Sequence, residues 1–405
     1  MKVAILTETF LPQINGIVRT IEKIVHYLED HGHEVMVVTL GEGVTEYSNS
    51  KVIRIPGVKL AFYKELHLVA PKEPWLKSLF EKLEDFGPVQ LPFATLQALI
   101  PSPHPEVEKA LKDFNPDIIH LATPATLGAI GYYYVEKMGI PCLSTFHTDL
   151  AAYTQQYNIP YFKAVINSVN KFIYNRTNRV LAPSPSSKKQ LEAIGIENVG
   201  VFGRGVDTEL YNPNKANKSI LKDYGLDPDK LTILYVGRVA EEKSLPILAE
   251  AFKKLDNAQL LIVGDGPARP LLESELEGTL HAFTGVKKGE ELAELYASAD
   301  VFAFPSKTET FGQVVLEAMA SGLPVLGFES PGVSDLIIHE KTGYLADSEC
   351  FDSFSEYLSK LVSNNKLRED FAKAGREEAL KRTWQQVLNG LFDEYSQVAN
   401  STSSV

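Results

Sequence analysis

The feature that most constrains the fold is an alternation of short apolar runs with amphipathic segments, which occurs in both halves of the chain. The first run, Val3-Ala4-Ile5-Leu6, is uniformly apolar, as expected of a strand that is buried on both faces of a sheet. Residues 17–31 then show helical periodicity, and a second apolar run covers residues 35–40. A strand, a helix and a second strand in this order predict a right-handed crossover and a parallel sheet.

The second half of the chain repeats this alternation. Apolar runs predict strands at residues 231–236, 260–263, 281–284 and 301–304. Ligands of such sheets bind beyond the carboxyl ends of the strands, so the loops that follow these runs are candidate binding elements. We predict an α/β fold with two Rossmann-like domains, at residues 1–205 and 206–383. We expect residues 384–405 to form a helix that crosses back to the first domain, followed by a disordered tail.

Composition and charge exclude several functions. With 405 residues, of which 44% are hydrophobic and 23% charged, the chain is long enough for two or three complete cores. Its net charge of −12 argues against nucleic acid as a partner. The two cysteines, Cys142 and Cys350, have no metal-ligand pattern near them, so we expect neither a disulfide nor a zinc site. We find no signal peptide or membrane span, and we expect a cytoplasmic protein.

The stretch from Phe304 to Pro324 carries the clearest chemical signal. A predicted strand ends there in a polar turn, and we expect a helix to begin near Phe311. Glu309 and Glu317 flank the start of this helix, where free N–H groups favour an anion and Gly312 permits close approach. Because carboxylates accept hydrogen bonds from hydroxyls, the pattern suits a nucleotide-sugar, which has a diphosphate between two sugars. The alternative is a helix with one turn glutamate and one surface glutamate.

Two cations follow the first predicted strand of the second half. Arg238 and Lys243 lie in the loop that leaves the carboxyl end of the strand at residues 231–236. A guanidinium offers a planar fork and an ammonium a point charge, and the two together suit a diphosphate. They could instead be two surface cations. In combination with Glu309 and Glu317, we favour a binding site.

In the first half, one loop and one strand end are candidate binding elements. The loop at residues 7–16 ends in Gly16, at the ligand edge of the predicted sheet. It contains no G-x-G-x-x-G pattern, so a dinucleotide site is not supported. The strand at residues 141–146 is followed by His147, a candidate for contact with a substrate. A lone histidine is equally a structural hydrogen-bonding residue in many proteins.

Residues 150–191 differ in composition from the rest of the chain. The segment contains no Asp or Glu, but six basic and six aromatic residues are interleaved in it. One interpretation is a surface for an anionic membrane or an anionic lipid acceptor. The other is an ordinary pair of helices whose aromatic side chains belong to the core. The basic residues are Lys163, Lys171, Arg176, Arg179, Lys188 and Lys189.

Together these motifs resemble the retaining family-4 glycosyltransferases, over nearly the whole chain. The resemblance implies the GT-B fold, in which two Rossmann-like domains face each other across a cleft and the donor is clamped between them. It implies that Glu309 holds hydroxyls of the donor sugar and that Glu317 holds the ribose, as in the family's E-x7-E pair. Arg238 and Lys243 match the family's cations for the donor diphosphate.

The resemblance also assigns the remaining site residues. Gly16 matches the glycine whose backbone approaches the donor, and His147 matches the histidine that contacts the transferred sugar. The implied catalytic set is His147, Arg238, Lys243 and Glu309. The implied donor contacts are Gly16, Arg238, Lys243, Val286, Glu309, Phe311, Gly312, Gln313 and Glu317. No metal and no cofactor are expected, since the nucleotide-sugar is a substrate.

Within the family, TETFLPQINGIV and the FHTD-type strand end resemble enzymes that glycosylate glycerolipids. We expect transfer of a hexose from GDP-mannose or a UDP-hexose, with retention, to a lipid or glycan hydroxyl. The protein would be cytoplasmic, or peripheral on the inner face of a membrane. A sulfoquinovosyl-diacylglycerol synthase is the alternative, although His147-Thr148-Asp149 departs from the His-Thr-His of many sulfolipid enzymes.

Two other classes of protein remain as alternatives. A GT-B sugar-nucleotide epimerase would form product without any acceptor. A non-catalytic sugar-nucleotide or membrane-binding module would not need the full set of Arg238, Lys243, Glu309 and Glu317, and their presence argues against it.

Overall fold

The computed structural model of the protein describes most of the chain and divides it into two compact units. The first unit comprises residues 1–202 and 388–405, and the second comprises residues 203–387. The sequence-based boundaries were 205/206 and 383/384. The irregular region at residues 57–104 lies mostly outside the described residues, as do Thr148 and Asp149. The described residues are 1–13, 15–59, 67–69, 104–122, 126–147, 161–307, 309–348 and 350–401.

The first unit is built on an eight-stranded sheet with the strand order β10-β9-β8-β7-β1-β2-β4-β3. All neighbouring strands are parallel except β3 and β4, and a small antiparallel pair, β5 and β6, lies outside this sheet. The parallel pairing of β1 with β2 confirms the predicted parallel sheet. The strands are β1 (Lys2–Leu6), β2 (Glu34–Leu40), β3 (Glu46–Tyr47), β4 (Ser50–Ile55), β5 (Gly57–Lys59), β6 (His67–Val69), β7 (Ile118–Leu121), β8 (Cys142–Thr145), β9 (Arg179–Ala182) and β10 (Val199–Val201).

The helices of the first unit connect these strands. The Asn15 side chain caps α1 by accepting from the N–H groups of Ile17 and Val18, at 3.0 Å each. The apolar stripe of α1 packs on the sheet, because Ile21, Ile24 and its other apolar residues at helical spacing are buried. The helices are α1 (Gly16–Asp30), α2 (Pro105–Phe114), α3 (Thr126–Met138), α4 (Tyr161–Tyr174) and α5 (Pro185–Ala193).

The second unit is built on a six-stranded sheet in which all neighbouring strands are parallel. Its order is β13-β12-β11-β14-β15-β16, so the chain reverses direction along the sheet between β13 and β14. The four predicted strands form where the apolar runs indicated, with β12 starting two residues earlier and β13 ending one residue later, whereas β15 and β16 were not predicted. The six strands are β11 (Leu231–Val236), β12 (Ala258–Val263), β13 (His281–Gly285), β14 (Val301–Phe304), β15 (Val325–Phe328) and β16 (Gly343–Ala346).

Helices cover the second sheet, and the last helix belongs to both units. The helix predicted to start near Phe311 begins instead at Gln313, because Gly312 adopts a left-handed conformation (φ +84°) and serves as its N-cap. The helices are α6 (Leu245–Phe252), α7 (Arg269–Glu275), α8 (Gly289–Ser298), α9 (Gln313–Ala320), α10 (Pro331–Ser334), α11 (Phe351–Ser363), α12 (Asn365–Ala379) and α13 (Trp384–Ser401). Among the described helices, none is both long and apolar enough to cross a membrane.

Candidate active site

The strand order of the second unit brings four candidate loops to one edge. The loops that follow β13, β12, β11 and β14 leave the carboxyl ends of adjacent parallel strands. They carry Val286, Gly264, the Arg238–Lys243 segment and Glu309, respectively. In an open α/β sheet, ligands bind at such an edge, where the strand order reverses.

Glycines hold three of these loops against one another. The Gly237 N–H donates to Val263 O and the Gly264 N–H to Gly285 O, each at 2.9 Å. A Cβ atom on Gly264 would lie 1.9 Å from the carbonyl oxygen of Gly237, so only glycine fits there. One on Gly266 would lie 2.3 Å from Val239 O. The Gly264-Asp265-Gly266-Pro267 motif therefore packs backbone against backbone and shapes the edge.

A lysine, a serine and a glutamate meet at the centre of this edge. Lys243 ends a short 3-10 helix (Glu241–Lys243), and its ammonium forms an ion pair with Oε1 of Glu309. Ser306 Oγ lies 3.1 Å from the same carboxylate oxygen and 3.4 Å from Lys243 Nζ. Both charged side chains are largely but not fully buried. The structure thus joins two residues that are 66 positions apart in the chain.

The N-terminus of α9 lies directly beyond Glu309. The Gly332 N–H donates to Glu309 O at 2.9 Å, and a Cβ atom on Gly332 would lie 2.2 Å from the Phe311 nitrogen. This contact fixes the turn against α10. The first N–H groups of a helix lack intrahelical acceptors, so α9 presents donors at this point. The Gln313 side chain forms a hydrogen bond inside the second unit, in which Nε2 donates to Gly205 O at 3.1 Å.

Glu317 is buried one turn further along α9. It is only 6% exposed, so the alternative interpretation as a surface glutamate is wrong. The hydroxyl of Tyr296, on α8, lies 3.2 Å from Oε2 of Glu317 and 3.2 Å from Val314 O. Burial and the Glu317 charge raise the pKa of Tyr296 well above its usual value. Tyr296 therefore remains a neutral donor that orients the carboxylate.

Arg238 and Val286 lie at the periphery of the same edge. The Arg238 side chain is 57% exposed, and Nη1 lies 3.9 Å from Oε1 of Glu242, four positions later in the chain. Its backbone is held in place, since the Tyr235 hydroxyl donates to Arg238 O at 2.8 Å. Val286 follows β13 and is 66% exposed. Neither residue joins the Lys243 cluster.

In the first unit, the loop after β1 is held by its own polar side chains. Asn15 Nδ2 donates to Thr9 Oγ1 at 3.0 Å, and Thr7 Oγ1 donates to Thr9 O at 2.9 Å. Gly16 is the first residue of α1, and no described atom lies within 4 Å of the position a Cβ atom would occupy there. Crowding by the described part of the chain therefore does not explain why this residue is a glycine.

Glu8 is a buried carboxyl group in this loop that sequence reasoning did not select. Its side chain is 1% exposed, and Oε1 accepts from the N–H groups of Leu127 (2.7 Å) and Gly128 (3.4 Å) at the start of α3. Burial outweighs these hydrogen bonds and raises the pKa of Glu8 to about 8. Its position two residues after an apolar strand does not by itself show that the carboxyl group is buried.

His147 is buried at the end of β8 and belongs to a chain of hydrogen-bonding side chains. Its Nε2 lies 2.9 Å from Thr145 Oγ1, which lies 2.8 Å from Nε2 of His120 on β7. His120 Nδ1 lies 2.7 Å from the hydroxyl of Tyr395 on α13. Burial lowers the pKa of His120 to about 3 and raises that of Tyr395. His120 is therefore neutral.

The basic and aromatic segment at residues 150–191 is only partly a surface. Tyr174 is fully buried, and Arg179 is held by Glu394 through two hydrogen bonds of 2.8 Å. Tyr174 is one of the six aromatic residues of the segment, and its burial agrees with the alternative in which they belong to the core. Arg179 is paired with a carboxylate and is not a free cation of a basic surface. Phe172 is 54% exposed, with the Arg176 guanidinium 3.7 Å from its ring centroid. Residues 148–160 lie outside the described part of the chain.

No metal centre is found among the residues that the structure describes. No three His, Cys, Asp or Glu side chains in them converge on a common point. Asp227 and Asp229 match a D-x-D pattern, but Oδ1 of Asp227 accepts from the Asp229 N–H at 3.0 Å in an exposed turn. The pattern here stabilises a turn.

Solved structures share this two-unit architecture. Sucrose-phosphate synthase from Thermosynechococcus elongatus matches with a TM-score of 0.77 and 20% sequence identity, over 99% of this chain and 99% of that chain. Together with the two Rossmann-like parallel sheets, this likeness shows the GT-B fold. It confirms the fold class that the sequence predicted.

The sequence itself matches glycosyltransferases along almost its whole length. Residues 65–210 match the model of Glycosyltransferase Family 4, and residues 217–378 match that of Glycosyl transferases group 1. A GDP-mannose-dependent alpha-mannosyltransferase of Mycolicibacterium smegmatis is 33% identical, covering 100% of this chain and 99% of that protein. Sulfoquinovosyl transferase SQD2 of Arabidopsis thaliana is 30% identical, covering 94% and 70%. The chain belongs to the family-4 glycosyltransferases.

Proposed function

We propose that the protein transfers mannose from GDP-mannose to a hydroxyl of a lipid acceptor, with retention of configuration and without a metal ion. The choice of donor is supported by the 33% identity to a mannosyltransferase named for GDP-mannose, over the full length of both chains. The choice of a lipid acceptor is supported by the TETFLPQINGIV motif, which resembles that of enzymes acting on glycerolipids.

The observation that carries the proposal is the cluster of Lys243, Ser306 and Glu309 beside the N-terminus of α9. The ammonium and the helix N–H groups favour the two phosphates of a nucleotide-sugar. The Glu309 carboxylate accepts hydrogen bonds, so it suits hydroxyls of the sugar attached to those phosphates. Glu317, buried and oriented by Tyr296, suits the ribose hydroxyls at the other end. The cation and N–H groups of the site thus match the phosphates of the nucleotide-sugar, and the two carboxylates match the hydroxyls on either side of them.

The reaction breaks the bond between C1 of the sugar and the oxygen of the diphosphate. The acceptor oxygen forms the new bond to C1 on the same face, and its proton passes to the departing phosphate oxygen. Negative charge grows on the diphosphate as the bond breaks. Lys243, the α9 N–H groups and the exposed Arg238 stabilise this charge. Such electrostatic stabilisation of the leaving group is the main contribution of these groups to catalysis. No nucleophilic side chain of the enzyme is required.

The acceptor side of the proposal rests on the first unit. Gly16 begins α1 with no described atom within 4 Å of its Cβ position, and His147 follows β8 on the ligand edge of the sheet. Lys171 and Phe172 on α4 and Arg176 just beyond it are exposed and form a small apolar and basic surface. We place this surface against the anionic inner face of a membrane.

A donor panel tests the proposal. The purified protein is incubated with vesicles containing diacylglycerol and phosphatidylinositol, with EDTA, and with GDP-mannose, UDP-glucose or UDP-sulfoquinovose. We expect a mannolipid from GDP-mannose alone, and an α-anomeric proton by NMR. Calorimetric binding of GDP but not UDP would agree with this result. Binding of neither nucleotide by the folded protein would refute the proposal.

The same panel decides between the alternatives. A sulfolipid from UDP-sulfoquinovose would establish the activity named in the Arabidopsis relative. Conversion of a nucleotide-sugar to its epimer without vesicles would establish an epimerase. Binding of GDP without turnover in any mixture would leave a binding module. Failure to co-sediment with anionic vesicles at low salt would remove the membrane surface but leave the donor assignment intact.

A further inference from the structure

The chain of hydrogen bonds that ends at His147 has a definite direction. We propose that Tyr395, His120 and Thr145 are positioning residues that hold His147 in the tautomer with its proton on Nδ1. The C-terminal helix would thereby determine which ring nitrogen of a substrate-contacting histidine is a donor. The catalytic consequence rests on the proposed function, whereas the tautomer itself does not.

The direction follows from the hydroxyl of Tyr395. This hydroxyl is fully buried, and within the described residues its only hydrogen-bond partner is His120 Nδ1, at 2.7 Å. If Nδ1 carried a proton, the phenolic proton would be buried without an acceptor, which is strongly unfavourable. Tyr395 therefore donates, and Nδ1 of His120 accepts.

Each later link follows from the previous one. Because His120 is neutral and its Nδ1 accepts, its proton lies on Nε2 and is donated to Thr145 Oγ1, at 2.8 Å. The Thr145 side chain is buried, and its described partners are the two histidines alone. Its hydroxyl proton is therefore donated to Nε2 of His147, at 2.9 Å. A neutral His147 then carries its proton on Nδ1.

The arrangement has a chemical consequence for the site. With Nε2 occupied as an acceptor, Nδ1–H is the ring group that remains a donor, and it can hydrogen-bond to an oxygen of the substrate or of the protein. The opposite tautomer would present an acceptor in its place. A sugar hydroxyl can adapt to either, but a phosphate or carbonyl oxygen requires the donor.

The tautomer is measured by ¹H–¹⁵N NMR of protein labelled with ¹⁵N-histidine, with His147→Gln and His120→Gln variants for assignment. In the wild type, we expect the proton of His120 on Nε2 and that of His147 on Nδ1. Thr145→Val removes the linking hydroxyl and should move the His147 proton at least partly to Nε2. Thr145→Ser keeps the hydroxyl and should retain the wild-type pattern.

Thr39→Val is a matched control. Thr39 is a fully buried threonine on β2 whose hydroxyl has no hydrogen-bond partner in the described part of the chain. Its replacement should leave the His147 tautomer unchanged. A wild-type His147 with its proton on Nε2, or a Thr145→Val protein with an unchanged tautomer, would overturn the proposal. If Thr145→Val does not fold, the wild-type and Thr145→Ser spectra still decide it.

Kinetics test the catalytic consequence separately. In the donor panel, Thr145→Val should lower kcat about tenfold or more with little change in the KM for donor, because a misoriented contact affects the transition state most. Thr145→Ser and Thr39→Val should stay within about twofold. If the wild type transfers no sugar, the proposed function fails, while the tautomer measurement still supports or refutes the hydrogen-bond chain.

Discussion

The ligand edges of the two sheets differ in the charge and burial of their polar groups. At the edge of the first unit, Glu8 and His120 are fully buried and are neutral near pH 7, because burial raises the pKa of one and lowers that of the other. At the edge of the second unit, Lys243 and Glu309 form an ion pair that solvent can partly reach. Both edges are formed by the carboxyl ends of parallel strands.

The difference shows that the fold does not determine the electrostatics of its binding edge. Burial without a counter-charge favours the neutral form of a group, whereas partial exposure beside an opposite charge preserves the charged form. A neutral edge suits recognition of hydroxyl groups, and a charged edge suits a diphosphate. Four substitutions, at Lys243, Glu8, Tyr296 and Glu242, test this contrast.

Replacing Lys243 with Ala should reduce the turnover of the transfer reaction about 100- to 1,000-fold, because it removes the positive charge that stabilises the leaving diphosphate. The free energy of unfolding should fall by no more than about 2 kcal/mol, since Ser306 still contacts Glu309. Steady-state rates and urea unfolding measure the two effects. The control is Lys366→Ala, which removes an exposed ion pair with Asp370. Unchanged turnover in Lys243→Ala would contradict the assignment.

Replacing Glu8 with Gln should change how stability depends on pH. The pKa of Glu8 is about 8 in the folded protein, against 4.5 as its ordinary value, so the folded state retains a proton between these pH values. Wild-type stability is therefore lost as pH rises from about 5 through 8, by on the order of 4 kcal/mol. Gln keeps a carbonyl acceptor but does not titrate.

Urea unfolding of Glu8→Gln and wild type at pH 5, 7 and 9 checks this prediction. The two proteins should have similar midpoints at pH 5, and the variant should be the more stable at pH 9. Glu273→Gln, at an exposed site of α7, provides the control and should show no such divergence. A constant difference at all three pH values would mean that Glu8 is ionised throughout.

Replacing Tyr296 with Phe should affect donor binding more than chemistry. The variant loses the hydroxyl that contacts Glu317 Oε2 and Val314 O, so the carboxylate is less well oriented. We expect a several-fold higher KM for the donor, little change in kcat, and a stability loss of about 1–2 kcal/mol. A matched variant is Tyr235→Phe, which removes a hydroxyl that donates to Arg238 O and not to Glu317. If Tyr296→Phe lowered kcat by as large a factor as it raised the KM for the donor, this would argue against a ribose site at Glu317.

The smallest effect is expected for Glu242→Gln. Glu242 lies 3.9 Å from the exposed Arg238 guanidinium, and such surface pairs contribute between 0 and about 1 kcal/mol. We expect unchanged stability within about 0.5 kcal/mol and a KM for donor that is unchanged or slightly lower, because Arg238 loses a competitor. Donor titration at two salt concentrations measures this. A large loss of stability would show that the edge is more tightly coupled than its exposure indicates.

The sequence predicted the parts of the fold that depend on local patterns. The apolar strands Val3–Leu6 and Val301–Phe304 could be recognised because burial on both faces leaves no polar position in them. The start of α9 was misplaced by two residues, because periodicity does not show that Gly312 takes a left-handed conformation. The strands β3 and β4 were missed, since β3 has only two residues and β4 carries exposed or half-buried positions between its buried ones.

The candidate site was predictable only as separate motifs. Glu309 and Lys243 each had a recognisable motif, but their direct contact depends on the strand order β11-β14, which no local pattern shows. The contact of Tyr395 with His120 joins residues that are 275 positions apart. Glu8 was missed because its significance depends on burial against α3, and burial of a carboxyl group is not visible in sequence.

The division of α13 between the units has a consequence for how the protein is made. Residues 388–401 supply Tyr395 to His120, Glu394 to Arg179 and Phe392, which stacks on His33 at 4.7 Å. The ribosome delivers these residues only after the whole second unit has emerged. The first unit therefore cannot be completed before the second unit has been synthesised. A truncated transcript or a stalled ribosome would release a protein whose N-terminal half lacks part of its core, which would mark it for degradation.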